Sequence, residues 1–160
     1  MEEGKLSKKD IKIVIAAHKP YRMPEDTMYV PLHVGAEGKK NPDGTPLDLG
    51  YQKDNEGDNI SAKNPYYCEL TGIYYAWKNI PAEYLGLVHY RRYFKGKNKS
   101  KDPFACIVTE PEMEKIFETH RIVVPKKRKY YIETLYSHYA HTHYAEHLDI
   151  TREVLKQICP

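Results

Sequence analysis

The sequence lacks the features that mark several common classes of protein. Its three cysteines, Cys68, Cys106 and Cys159, show no paired metal-ligand spacing, and their odd number favours reduced thiols. No apolar run approaches the ~20 residues of a membrane-spanning helix. The opening residues, MEEGKLSKKD, contain no apolar segment of the kind that a secretion signal needs. We therefore expect a cytoplasmic protein.

The chain also lacks a strong charge of either sign. Its formal net charge of +3 over 160 residues argues against strong non-specific binding to nucleic acid. Lysine and arginine nevertheless crowd two loops, Lys95–Lys101 and Lys126–Lys129. The second run, PKKRK, imitates a nuclear-localisation signal, but we interpret it as a basic loop near the sheet edge that holds Arg91. We predict no nucleic-acid partner, because the basic and aromatic residues form no RNA-binding signature.

Apolar runs and helical patterns alternate along the chain. The apolar, β-branched runs predict buried strands, and Pro31 gives the second an irregular or edge position. One face of the first helix carries apolar side chains at helical spacing: Leu70, Ile73, Tyr74 and Trp77. This alternation predicts an α/β fold with a mostly parallel sheet flanked by helices. The predicted strands are residues 11–18, 28–36, 85–89 and 121–125; the predicted helices are 64–79, 110–120, 130–148 and 150–159; a long loop covers 37–59.

The domain organisation follows from the same pattern. Residues 1–10 are predicted to form a flexible tail, and residues 11–160 a single domain without repeats. The sequence ends directly after an amphipathic helix, so we expect an incomplete domain whose C-terminal portion is missing.

The stretch YLGLVHYRRYF, from Tyr84 to Phe94, turns an apolar strand into a basic cluster. In open α/β sheets, ligands bind beyond the carboxyl ends of the strands. Arg91 and Arg92 can each grip phosphate oxygens through two hydrogen bonds, although neighbours in an extended segment point to opposite sides. We therefore predict an anion site with one arginine facing the ligand. Surface ion pairs with carboxylates are the alternative.

A second polar segment, DNISAKNPYYCEL, leads into the predicted helix at residue 64. The first turn of a helix offers unpaired backbone N–H groups and a dipole that favours phosphate, and Lys63 adds a positive charge. The alternative is an ordinary capping region with Asn64 as the N-cap.

A third segment, SHYAHTHYAEH, concentrates histidine in a predicted helix. His143 and His147 have the i, i+4 spacing that lets two side chains share a metal on one helix face, whereas His138 and His141 lie on another face. No cysteine or carboxylate has a signature placement to complete the ligation. We predict a solvated or substrate-lining helix and no metal site.

Five motifs in order carry a family resemblance: IVIAAHK, HVGA, GDNISAKNPYYCELTGIYYAWKN, YLGLVHYRRYF and IVVPKKRKYYIETLYSHYAHTHYAEHLD. Together they resemble bacterial capsular and exopolysaccharide glycosyltransferases long classed as a domain of unknown function. The resemblance implies a GT-A-like, Rossmann-like fold. It also implies transfer of a sugar, galactose or galactofuranose, from a UDP-sugar to a lipid-linked saccharide in capsule, exopolysaccharide or lipopolysaccharide biosynthesis. Such an acceptor implies peripheral contact at the inner face of the plasma membrane.

The resemblance also implies positions for the site. GT-A enzymes usually hold a divalent metal with Asp-x-Asp at the end of a central strand. This chain has no Asp-x-Asp, and His89-Tyr90-Arg91 occupies that kind of place, so arginine is expected to take over part of the metal's charge neutralisation. Mn²⁺ or Mg²⁺ stays open as a cofactor. The predicted catalytic residues are His89, Arg91 and Arg92; the predicted donor-binding residues are His18, Lys19, Asp58, Asn59, Ser61, Lys63, Asn64 and Tyr90; the predicted acceptor-binding residues are Tyr136, His138 and Tyr139.

Two points stay open at this stage. An inverting transfer needs a general base within hydrogen-bond reach of the acceptor hydroxyl, and Asp58, Glu69 and Asp149 are unranked candidates. The alternative function is a nucleotide-sugar-binding or saccharide-binding module without catalysis.

Overall fold

A computed structural model describes residues 8–159 of the chain. They fall into two compact units that divide between Val123 and Val124. Most of the predicted N-terminal tail, residues 1–7, lies outside the described residues. Asp10 already contacts the fold, because its carbonyl accepts a hydrogen bond of 3.0 Å from the backbone N–H of Tyr84.

The first unit is built on a sheet of four parallel strands. These are β1 (Ile11–Ala17), β2 (Tyr29–His33), β3 (Gln52–Lys53) and β4 (Tyr84–His89), in the spatial order β3-β2-β1-β4. The α/β class and the parallel sheet are confirmed. Because all four strands run the same way, their carboxyl ends share one edge of the sheet.

Strand β1 is central and buried on both faces, as its continuous apolar run predicts. Ile11, Ile13 and Ile15 pack on one face with residues of the segment 90–117, and Val14 and Ala16 pack on the other against helix α2 (Leu70–Asn79). This two-sided burial fixes where the last residues of β1 lie at the carboxyl edge.

The predicted second strand and loop need small corrections. β2 is shorter than predicted, and Pro31 lies where β2 has β1 on one side only, because β3 pairs with Leu32 and His33. β3 falls inside the predicted loop of residues 37–59. A strand of two residues is too short to produce an alternating apolar and polar pattern that can be recognised in the sequence.

The predicted helix of residues 64–79 is interrupted. The structure has α1 (Asn64–Tyr67) and α2, separated at Cys68, whose φ of +48° no right-handed helix contains. The apolar face of α2 is also not its buried face. The buried residues are Thr71, Gly72, Tyr75 and Ala76, whereas Leu70 and Trp77 are exposed.

Helix α3 (Glu110–Phe117) follows the predicted position closely. Thr109 and Glu112 form a capping box at its start, and Met113 fills the core beneath it. The strand predicted for residues 121–125 is wrong: Ile122 is 77% exposed, and among residues 8–159 no strand pairs with this segment. β-branched residues favour a strand only when a ladder partner is available.

The second unit contains α4 (Leu135–Thr142) and α5 (Glu146–Ile158). The long helix predicted for residues 130–148 is interrupted: α4 starts at Leu135, after its N-cap Thr134, and the chain leaves the helix at His143, an extended residue. Neither helix contains a buried residue. Within residues 8–159, no helix is both long and apolar enough to cross a membrane.

Candidate functional site

Two adjacent strands bring the predicted site residues together at the carboxyl edge. Ala16 on β1 pairs with His89 on β4, so His18 and Tyr90 follow side by side. The ring centroids of His18 and His89 are 6.4 Å apart, and those of His18 and Tyr90 are 5.3 Å apart with an edge-to-face angle of 84°. Parallel pairing thus joins residues that are separated by about seventy positions in sequence.

Tyr90 lies at the centre of this group and is only 1% exposed. Its ring is covered by Tyr21, at 5.1 Å between centroids, and by two cations. Lys19 Nζ lies 5.7 Å from the ring centroid, and the Arg91 guanidinium lies 5.2 Å from it. Both cations therefore lie within cation–π distance of the same aromatic ring.

The two arginines belong to a tight turn. The N–H of Arg92 donates to the carbonyl of His89 at 2.7 Å, which makes Tyr90 and Arg91 the central residues of a β-turn. The expectation that Arg91 and Arg92 point to opposite sides of an extended segment therefore rested on the wrong backbone. Both are exposed, but the guanidinium of Arg91 is the one positioned against Tyr90.

Burial favours the neutral form of His89. Burial lowers its pKa, Arg91 and Arg92 lower it further, and Glu69 opposes them. The backbone N–H of Arg91 donates to His89 Nδ1 at 3.3 Å, so the neutral ring carries its proton on Nε2. Nε2 faces Glu69 Oε1 at 4.0 Å. In this state His89 is a hydrogen-bond donor toward the site, and Glu69 is the carboxylate beside it.

A buried carboxylate that sequence reasoning missed organises the neighbouring loops. Asp54, fully buried after β3, accepts hydrogen bonds from the backbone N–H groups of Gly35 and Ala36, at 2.8 and 3.0 Å. It also accepts from the hydroxyls of Ser61 and Thr71. Asp54 therefore ties the end of β2, the turn of residues 61–63 and α2 into one network.

This network gives Ser61 a structural task. Ser61 is 1% exposed, and its hydroxyl also accepts from the N–H of Glu37 at 3.1 Å. Its backbone N–H donates to the side chain of Asn59. Direct contact of Ser61 or Asn59 with a donor stays a prediction.

The other predicted donor-binding residues also have partners in the fold. Asn64 donates from Nδ2 to the Cys68 carbonyl and the Thr71 hydroxyl, at 2.8 and 3.0 Å. Asp58 accepts from the Tyr74 hydroxyl at 3.0 Å. Lys63 is the N-cap residue of α1, the position predicted for Asn64. Because α1 has only four residues, the helix-dipole support expected for a phosphate here is largely lost.

A cavity of about 420 Å³ opens beside Arg91. Half of its ten lining residues are aromatic, and Tyr90 and Arg91 belong both to the cavity and to the strand-tip group. The lining residues are Tyr21, Tyr90, Arg91, Tyr93, Phe94, Lys95, Pro103, Phe104, Cys106 and Ile107. Sequence reasoning missed Tyr21 and Phe104, although Tyr21 comes directly after the HKP segment that follows β1.

The predicted acceptor-binding residues belong to the second unit, and each contacts another side chain of that unit. The Tyr136 hydroxyl donates to Asp149 at 2.8 Å, and the Tyr139 hydroxyl lies 3.2 Å from His147 Nδ1. His138 and His141 both meet Glu133, at 2.6 and 3.2 Å. Their role toward a saccharide stays a prediction.

The histidines do not form the helical pair that spacing indicated. His143 caps α4 and His147 lies in α5, so the i, i+4 geometry of one continuous helix does not exist. Across the described range, no group of three or more His, Cys, Asp or Glu side chains is placed to hold a metal ion. The basic run Lys126–Lys129 is exposed.

The fold and the strand-tip group define an α/β protein with a basic candidate ligand site at the carboxyl edge of a parallel sheet. The family model described as "Domain of unknown function (DUF4422)" matches residues 12–160, and the chain belongs to that family. No curated protein matches it. The apo structure of the WbbM bifunctional glycosyltransferase is 40% identical over 59% of this chain, which covers 16% of that protein, with a TM-score of 0.49. At that score and coverage the overlap by itself assigns neither a fold nor an activity.

Proposed function

We propose that the chain carries a glycosyltransferase site that takes a hexose, galactose or galactofuranose, from a UDP-sugar. The acceptor is a lipid-linked saccharide of capsule, exopolysaccharide or lipopolysaccharide biosynthesis, met at the inner face of the plasma membrane. The observation that carries the proposal is the group of His18, Lys19, His89 and Arg91 around Tyr90 at the carboxyl edge of the sheet. The sugar chemistry comes from the motif resemblance.

The group fits a leaving diphosphate. Breaking a sugar–phosphate bond places negative charge on the departing oxygen, and fixed cations and N–H donors stabilise that charge. Lys19 and Arg91 supply positive charge, and the neutral ring of His89 supplies the Nε2–H donor. Arg92 contributes charge nearby, since it helps to lower the pKa of His89.

The residues of this group do not fit a divalent metal. Mn²⁺ and Mg²⁺ in such sites need carboxylate oxygens, and the strand tips offer lysine, arginine and histidine instead. Glu69 is the carboxylate that approaches His89, and one carboxylate beside two imidazoles and two cations is a poor ligand set. We therefore derive no step through a metal.

Glu69 is the candidate general base that the geometry favours. It is about half exposed and lies 4.0 Å from His89 Nε2, so a bound acceptor hydroxyl could reach it. Asp58 is engaged by Tyr74, and Asp149 by Tyr136, which makes both less available.

Release of UDP from UDP-galactose in the presence of a lipid-linked or synthetic saccharide acceptor tests the proposal. Calorimetric titration with UDP, with GDP as the control nucleotide, tests donor recognition separately from turnover. UDP binding without release would leave the non-catalytic binding module as the function. No heat from UDP or UDP-galactose on a folded sample would refute the donor site itself.

A further inference from the structure

The aromatic cavity beside Arg91 has no task in the handling of the diphosphate. Its volume of about 420 Å³ lies in the range of small-molecule sites. Arg91 and Lys95 are exposed at its solvent boundary, and Tyr90 is buried in its wall. The cavity is therefore open to solvent and shares a cation with the strand-tip group.

The cavity wall is held in place by several independent contacts. Arg22 makes two hydrogen bonds with Asp102, at 3.0 and 2.7 Å, and stacks its guanidinium 4.4 Å from the ring centroid of Phe104. Asp102 in turn accepts from the N–H of Phe104 at 3.0 Å. Backbone hydrogen bonds from Gly96 to Cys106 and from Val108 to Phe94 close the segment on itself. The cavity is preformed, which reduces the entropy cost of binding.

The ring geometry argues against a planar base. Tyr21 meets Tyr90 at 67° with centroids 5.1 Å apart, and Tyr93 meets Phe104 at 56° with centroids 5.8 Å apart. These neighbouring rings touch each other and leave no slot between parallel faces. A sugar ring needs no such slot, because it lays an apolar C–H face on one aromatic ring and directs hydroxyls to polar groups around it.

The polar groups of the wall suit hydroxyls. Burial raises the pKa of Tyr93 to about 12, so its hydroxyl stays protonated, and its nearest polar contact is the weak acceptor Met23 Sδ at 3.9 Å. Tyr90 is only 1% exposed, and its ring packs against His18 and His89. Polar groups removed from water are normally paired, so the Tyr93 hydroxyl, which among residues 8–159 has only this weak acceptor, can bond to a ligand.

We propose that this cavity binds a saccharide, with the sugar ring on the aromatic wall and its hydroxyls toward Tyr93 and Arg91. That this saccharide is the acceptor rests on the proposed function, because Arg91 would then place it next to the diphosphate. Saccharide binding in the cavity does not itself require transfer.

Saturation-transfer NMR and affinity titration with methyl galactopyranoside and a galactose-terminated disaccharide test the cavity, and UDP titration on the same samples tests the donor site. Tyr21→Ala removes an exposed wall ring, and Lys95→Ala removes a boundary cation. Tyr66→Ala is the matched control, because Tyr66 is 87% exposed and outside the cavity. We expect Tyr21→Ala to weaken saccharide binding about fivefold, as for loss of an aromatic contact, with Tyr66→Ala unchanged. We also expect UDP affinity to be unchanged in Lys95→Ala.

The outcomes separate the two proposals. Saccharide binding without UDP binding supports the cavity and refutes the proposed donor site. UDP binding without saccharide binding to the folded chain, or saccharide binding that survives both cavity substitutions, overturns the cavity assignment. A loss of UDP affinity in Lys95→Ala also overturns it, since the cavity would then hold part of the nucleotide.

Discussion

The two units differ in what fixes their side chains. In the first unit, six of the seven residues of β1 are buried and Asp54 joins three segments beneath the surface, so the strand-tip residues stand on a packed support. In the second unit, α4 and α5 contain no buried residue, and the polar side chains are positioned by contacts with each other, such as Glu133 with His138 and His141. Burial, rather than the density of polar residues, therefore identifies where the positions of side chains are fixed.

The largest effect is expected from Asp54→Ala. The substitution leaves the buried N–H groups of Gly35 and Ala36 and the hydroxyls of Ser61 and Thr71 without their acceptor. At about 1–3 kcal/mol for each unsatisfied buried group, and with partial relaxation, the free energy of unfolding should fall by about 3 kcal/mol or more. Urea unfolding followed by circular dichroism measures it.

Asp58→Ala is the control for this prediction, because Asp58 is an exposed carboxylate that accepts a hydrogen bond from the half-buried Tyr74. The two variants should differ clearly. Equal, small losses would mean that the Asp54 network contributes no more than a surface contact, and the contrast between the units would fail.

The next effect concerns UDP affinity. Arg91→Ala should weaken UDP binding by about 1.5–3 kcal/mol, the usual size of a charge-assisted hydrogen bond, because its guanidinium is held against Tyr90 beside Lys19. Arg92→Ala is the matched variant and should cost less, since Arg92 closes the turn and it is Arg91 whose guanidinium lies against Tyr90. Calorimetric titration at one fixed salt concentration compares them. If Arg92→Ala loses as much affinity as Arg91→Ala, the turn does not select between the two arginines.

A smaller effect should appear with pH. Burial lowers the pKa of His33, whose Nδ1 is buried without a partner among the described residues, and burial likewise lowers the pKa of His89. In the unfolded chain both return to an ordinary pKa near 6.5. As pH falls below that value, the unfolded state binds protons that the folded state refuses, so stability is present above it and declines toward acid.

Unfolding free energies at about pH 7.5 and about pH 5.5 measure that slope, across the ordinary histidine range. His33→Gln should flatten it, because the substituted side chain does not titrate. A slope that His33→Gln leaves unaltered would show that the buried histidine is not its source.

Sequence predicted the first unit better than the second for a physical reason. The positions of β1 and of the end of β4 could be predicted because continuous apolar residues enforce burial. Parallel pairing then brings His18 close to His89. The role of Asp54 could not be predicted from the sequence, because its four hydrogen-bond donors come from three distant segments. The prediction for α2 failed for a different reason. Apolar periodicity predicts which residues share a helix face, but it does not determine which face packs against the core.

The second unit shows the limit most clearly. The histidine spacing assumed a continuous helix, and nothing local in the sequence marks the extended backbone at His143. The strand predicted at residues 121–125 failed similarly, because its β-branched residues need a partner strand that the described chain does not supply. A helical spacing or a β-branched run therefore predicts the local structure poorly where few tertiary contacts support it.

The smallest effect is expected from Glu133→Gln in the second unit. Hydrogen bonding to His138, followed by the charge of the same ring and the contact with His141, keeps the pKa of Glu133 below its ordinary value. That carboxylate and both rings reach solvent, so water and salt screen the interaction, and surface ion pairs of this kind add little to stability. Unfolding of the full chain in urea should therefore be indistinguishable between Glu133→Gln and the parent at neutral pH, and far from the loss in Asp54→Ala. A loss of comparable size would mean that the Glu133 cluster holds the second unit together, and that a buried core is not needed to enforce geometry in this protein.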